Sequence, residues 1–102
     1  MAEHVSFFRA RALPGKLQDT IDLMNRWPVE QGPAARGWVR TYLAAGNSDE
    51  NDVMGVVVWD NTDNYVANAN RPEQDAWYQQ FRANLASDPE WFDGHLVKEW
   101  KA

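Results

Sequence analysis

The sequence predicts an α+β fold: a four-stranded antiparallel sheet with helices on one of its faces. Two observations carry the prediction. Segments of alternating polarity bracket segments whose apolar residues recur every three to four positions, in the order β-α-β-β-α-α-β. The polar connection between the second and third strands is short, which calls for antiparallel pairing.

The first strand is Val5 to Leu13, "VSFFRARAL". Its alternation puts Ser6, Phe8, Ala10 and Ala12 on one side and Val5, Phe7, Arg9 and Arg11 on the other, and Pro14-Gly15 breaks it. From Lys16 the period lengthens. Leu17, Ile21 and Met24 form one apolar stripe of an amphipathic helix. Trp27-Pro28 is expected to end or kink it, because the residue before proline is disfavoured in the helical region. "EQGPAARG" is then a connection. Trp38 to Ala45, "WVRTYLAA", is the second strand, and "GNSDEND" is a solvated hairpin tip. Val53 to Trp59, "VMGVVVW", is the third. Asp60, Asn61 and Thr62 all suit a helix N-cap, which puts Tyr65 on a short helix. Arg71-Pro72-Glu73 starts another, with proline in the first turn and an acid near the positive end. Trp77, Phe81 and Leu85 give it a core-facing stripe. "SDPEWFDG" reads as a turn anchored by Trp91 and Phe92, and His95 to Trp100, "HLVKEW", as the last strand.

This order is ferredoxin-like, with the helices covering one face of the sheet. The other face carries Val5 and Phe7, with Met54, Val56 and Val58 beside them. An apolar sheet face of that size is expected to pack against a second copy of the chain, giving a homodimer. Arg9 and Arg11 would then find acids across the interface.

Composition narrows the function classes. The chain has 102 residues, read as a single domain over 1–102 with a core that needs no staples. Its net charge is −5 and its arginines are scattered, which argues against nucleic acid and against an anionic membrane as partner. There is no cysteine, so disulfides, thiolate metal sites and thiol nucleophiles are excluded. "MAEHVSFFRARAL" lacks the pattern of a signal peptide, and no apolar run approaches the ~20 residues of a bilayer span, so a cytoplasmic protein is expected. Six tryptophans are the unusual feature. They suit a core, a subunit interface or an aromatic ligand.

"VVVWDNTDNY", Val56 to Tyr65, concentrates that question, because it ends a buried strand in tryptophan where a helix begins. Trp59 can fill the core or wall a pocket. The segment resembles the antibiotic-biosynthesis monooxygenase (ABM) group of the dimeric α+β barrel proteins. In that group the third strand ends in tryptophan, an acid and a small polar residue follow, and an aromatic stands six positions on. Here these are Trp59, Asp60, Asn61 and Tyr65. The resemblance implies a cofactor-independent monooxygenase of phenolic or polyketide-like molecules, needing neither metal nor cofactor. It assigns Trp59 to the pocket wall, Tyr65 to the substrate phenol, and Arg82 of "FRANL" to developing negative charge. Oxidising members carry an asparagine four residues before the tryptophan, where this chain has Gly55. Haem-degrading members carry a histidine on the following helix, and none lies between Asp60 and Ser87.

Oxygenation without a cofactor needs an electron-rich ring held dry and oriented, with its oxyanion stabilised. Ser6, Phe8, Trp77, Tyr78, Phe81 and His95 are the candidate substrate-binding residues. Tyr78 and Arg82, four apart, can share one helix edge. Each also has a plainer reading: the Trp77-Phe81-Leu85 stripe as core, Arg82 as a solvated charge, Tyr65 as a half-buried cap residue. His4 and His95 lie near strand ends and meet if the first and last strands are neighbours. Two other classes stay open: a non-enzymatic small-molecule-binding or stress-related dimer, and an isomerase or cyclase using His95 or Tyr65. Gly55 favours binding without oxygenation.

Overall fold

The computed structural model describes residues 2–102. Its elements are β1 (His4–Arg11), α1 (Leu17–Glu30), a short 3-10 turn (Gly32–Ala34), β2 (Trp38–Ala45), β3 (Asp52–Trp59), α2 (Thr62–Ala69), α3 (Pro72–Ala83) and β4 (Glu90–His95). The strands form one antiparallel sheet in the order β2-β3-β1-β4. This is the ferredoxin-like α+β arrangement the periodicity predicted.

The alternation of β1 survives folding. Ser6, Phe8, Ala10 and Ala12 are buried beneath the helices, whereas Phe7, Arg9 and Arg11 are exposed on the opposite face. The core is built on Phe8, Ala10, Leu23, Val53, Phe81 and Leu85. Gly55 on β3 lies directly under the Phe8 ring; a Cβ there would press into that ring. The position where oxidising ABM proteins have asparagine is therefore filled here by a neighbour's phenyl group.

Three expectations are corrected. First, α1 continues through Trp27-Pro28 to Glu30. Pro28 sits in the last turn, where the lost N–H costs one hydrogen bond near an exposed end. Trp27 holds that turn in place: its indole N–H donates to Gln74 at 2.8 Å, and its ring packs on Trp38 and Trp59. Second, the last strand is Glu90–His95, not His95–Trp100. The segment read as a turn pairs with β1 in continuous register, Phe8 opposite Trp91 and Ser6 opposite Asp93. Proline and glycine signals obscured an edge strand whose outward side does not need to be apolar. Residues after His95 carry no regular structure, and Trp100 is 82% exposed. Third, Arg9 and Arg11 find their acids within the chain. Arg9 pairs with Asp52 through two hydrogen bonds, at 2.7 and 3.1 Å, and Arg11 pairs with Asp49.

The outward sheet face keeps a patch of exposed Phe7, Tyr42, Met54 and Phe92, whereas Val5 and Val58 on that face are buried. No helix among the described residues is long and apolar enough to cross a membrane.

Candidate functional site: an aromatic cavity with one polar edge

Five of the six tryptophans, Trp27, Trp38, Trp59, Trp77 and Trp91, line one cavity of about 540 Å³ between the helices and the inner face of the sheet. Trp59 proves to be both core and wall. It is 2% exposed, and it stands edge-on to Trp27 and Tyr65 while bounding the cavity. The hand-over from strand to helix explains its place. Asn61 caps α2 by accepting from the Asn64 N–H at 2.8 Å, and the first turns of α2 then swing Tyr65 over the end of β3.

Trp38 reaches the cavity through a bulge. Strict alternation would put it on the outward face with Arg40 and Tyr42. The register shifts between Trp38 and Arg40, so Trp38 instead stands opposite Trp59. Its indole N–H then donates to Thr41 at 2.9 Å.

Several polar groups of the lining are already engaged. Gln74 accepts from Trp27, Thr41 from Trp38, and Asn68 from Arg71 at 3.1 Å. On the edge formed by Tyr65, Ser6 and Asp93 the polar groups bond to one another. Ser6 donates to Asp93 Oδ1 at 2.6 Å, and the Tyr65 hydroxyl approaches Asp93 Oδ2 at 3.4 Å. Behind them lies His4, 3% exposed, with its ring stacked on Tyr65 at 4.1 Å. Its Nε2 is 2.9 Å from Ser6 Oγ and its Nδ1 3.2 Å from Thr62 Oγ1. Burial pushes the Tyr65 phenol above the ordinary tyrosine range, and the Asp93 charge adds to this. Tyr65 is therefore a neutral hydrogen-bond donor at neutral pH.

Of the residues singled out in the sequence, Trp59, Tyr65, Ser6, Phe8, Trp77, Tyr78 and Phe81 line this cavity. Arg82 and His95 do not. Arg82 lies in the last turn of α3, and donates to Asp88 at 2.7 Å and to the Leu85 carbonyl at 3.1 Å. The negative end of the helix and the acid beyond it draw the guanidinium away from the cavity that Tyr78 faces. A sheltered cation beside the lining is Arg71, which donates to the lining residue Asn68. His95 stands opposite His4 across β1 and β4, so the two histidines do meet at one sheet end. Asp93 escaped the sequence reading because its segment read as a turn; the alternation of Trp91, Asp93 and His95 was the available signal. Among the described residues no three His, Cys, Asp or Glu side chains are grouped to hold a metal ion.

No protein-family model matches the sequence, and no curated protein matches it. Solved structures do. One is a Bordetella bronchiseptica protein assigned as an antibiotic biosynthesis monooxygenase, 18% identical, with a TM-score of 0.80 over 96% of this chain and 100% of that one. A Chloroflexus aurantiacus protein of the same assignment is 20% identical, with a TM-score of 0.76 over 98% of both chains. SnoaB, a cofactor-independent oxygenase from Streptomyces nogalater, is 18% identical in a mutant form, with a TM-score of 0.78 over 95% of this chain and 97% of that one. At these identities the likeness establishes the fold: the chain has the ABM-like ferredoxin fold, and its chemistry must be argued from its own residues.

Proposed function

We propose that this chain is a cofactor-independent monooxygenase that oxidises a phenolic or polyketide-like aromatic molecule, acting as a cytoplasmic homodimer. The observation that carries the reading is the cavity: about 540 Å³, walled by five tryptophans, with Ser6, Tyr65 and Asp93 forming a polar edge. Such a space accepts a flat fused-ring ligand by stacking and excludes water around it. The fold shared with SnoaB supports the same reaction class.

In that reaction a C–H bond of an anthrone-like methylene breaks and the proton leaves. The carbanion passes one electron to dioxygen, and the radical pair recombines as a hydroperoxide. Loss of water leaves a carbonyl, so one oxygen atom enters the product and the other leaves as water. Trp59, with Trp77 and Phe81, orients the ring, and Tyr65 donates a hydrogen bond to the oxyanion. Arg82 has no part in this scheme.

The test is oxygen uptake with anthrones and hydroquinones by wild type and Trp59→Phe. Uptake no faster than the uncatalysed rate across the set refutes oxygenation. Gly55 and the lack of a cation in the lining favour a second reading, a binding dimer without chemistry. Tryptophan quenching by the same compounds without oxygen uptake would establish that one. The dimer rests on the exposed patch around Phe7, Tyr42 and Phe92, the last 65% exposed. Sedimentation equilibrium tests it, and a monomer at micromolar concentration refutes it.

A further inference from the structure

We infer that Asp93 is a proton acceptor for the bound ligand, with Ser6 and His4 as its positioning residues. The cavity on this view enolises carbonyl-activated C–H acids such as anthrones whether or not dioxygen is present. The inference deepens the aromatic-substrate reading and rests on it, but it does not rest on oxygenation.

The geometry starts from strand register. Ser6 lies opposite Asp93 and His4 opposite His95, so the inward positions of β1 place a hydroxyl against the carboxylate with the imidazole one step behind. Ser6 has one proton, and it goes to Asp93 Oδ1 at 2.6 Å. The 2.9 Å contact between Ser6 Oγ and His4 Nε2 is then a bond donated by the imidazole N–H. In the neutral imidazole the lone pair is then on Nδ1, which accepts from the Thr62 hydroxyl at 3.2 Å. One tautomer satisfies the whole chain, and every donor in it points toward Asp93.

The placement of these polar groups argues against simple packing. Farther along the same inward face β1 carries Phe8, Ala10 and Ala12, all buried and apolar. Polar residues replace them at His4 and Ser6, the end that packs beside Tyr65 and Asp93. His4 and Ser6 are buried there, whereas the Asp93 side chain is about half exposed and lines the cavity with Tyr65. A ligand therefore meets the carboxylate and the phenol, and the imidazole supports them from behind.

The step balances within ligand and protein. The C–H bond of the methylene, conjugated through the fused rings with the carbonyl opposite it, breaks, and its proton goes to Asp93. The electron pair delocalises through the central ring as that ring becomes aromatic, and the carbonyl π pair moves onto oxygen, where the Tyr65 hydroxyl donates to it. Return of the proton to that oxygen yields the enol. With Oδ1 held by Ser6, Oδ2 is the basic oxygen, and the Tyr65 hydroxyl, 3.4 Å from it, turns to the ligand oxygen when the ligand binds.

The experiment uses anthrone as probe, without oxygen, in deuterated buffer. Proton NMR follows loss of the methylene signal, and tryptophan quenching reports binding separately. Wild type should accelerate exchange, and Asp93→Asn should lose about 10²–10⁴-fold, the usual worth of a general base. Ser6→Ala should slow exchange at saturation without changing half-saturation, and Ser6→Thr, which keeps the hydroxyl, should restore it. Wild-type exchange in folded Asp93→Asn overturns the assignment of the base. Equal rates for Ser6→Ala and wild type overturn the positioning role. Binding without exchange in wild type overturns the inference alone, whereas exchange without later oxygen uptake upholds it and removes the oxygenase. Neither binding nor exchange removes both. Asp93→Glu, which keeps the carboxylate, gives a second reading should Asp93→Asn fail to fold; exchange retained by Glu and lost in Ser6→Ala still supports the proposal.

Discussion

Gly55→Ala tests the packing that shapes the cavity. A Cβ at this position would fall well inside contact distance of Cε1 and Cζ of Phe8 and 2.9 Å from its Cδ1. Ordinary carbon contacts lie at ~3.5–4.0 Å, so the ring must retreat by roughly 1–1.5 Å. Its retreat is restricted. Phe8 is wedged edge-on against Phe81 at 5.7 Å and tilted against Trp91 at 5.2 Å. Phe81 is fully buried, but Trp91 is partly exposed on the edge strand, so the ring gives way toward Trp91 and the cavity. Overpacking of this kind costs about 1–3 kcal/mol. For a domain of this size that lowers the midpoint of thermal unfolding by about 4–8 °C per kcal/mol. The assay is a melting curve followed by tryptophan fluorescence, run as a cycle with Phe8→Leu. Leucine makes room for the methyl group, so the double variant should be more stable than the sum of the singles predicts, by about 0.5–3 kcal/mol. Strict additivity, or a neutral Gly55→Ala, would falsify the claim that Phe8 occupies the space an asparagine would need. Anthrone binding should also weaken in Gly55→Ala, because the displaced ring enters the cavity.

Four further outcomes are expected. Asn61→Ala should cost about 0.5–2 kcal/mol in denaturant unfolding, the worth of an N-cap, and should loosen the helix that carries Tyr65; an unchanged midpoint counts against the cap. Arg82→Ala should change stability by less than about 1 kcal/mol, since its partner Asp88 is almost fully exposed, and should leave anthrone quenching intact; lost quenching would show that Arg82 serves the cavity after all. The phenol of Tyr65 is raised by burial, so its stabilising effect is complete below the ordinary tyrosine range and is lost as pH rises through its folded value. Tyr65→Phe should remove that alkaline part of the unfolding profile. At the other end, Arg9 and Arg11 hold Asp52 and Asp49 below the usual carboxylate range, so their contribution is present above that range and disappears as pH falls through the folded values. Melting curves across pH, with Tyr65→Phe and Asp52→Asn beside wild type, test both signs.

Local pattern was enough for the element order, the two faces of β1, the limits of β2, the cap of α2 and the proline-led start of α3. Each depends on residues within a turn or two of one another, and alternation, capping and proline geometry act at that range. It was also enough to single out Trp59 and Tyr65, because a strand ending in tryptophan before a cap is a local event. Tertiary structure alone decided the rest. Pro28 is tolerated because Trp27 packs on residues far away in sequence. Trp38 turns inward only through a bulge set by pairing with β3. Arg82 leaves the cavity because Asp88 lies beyond the helix end. Asp93 becomes a site residue only when an edge strand disguised by proline and glycine docks on β1 and brings it to Ser6, 87 residues away. Pairing and packing join residues that no window of sequence contains together, and Ser6, Tyr65 and Asp93 meet on the polar edge of this cavity only in that way.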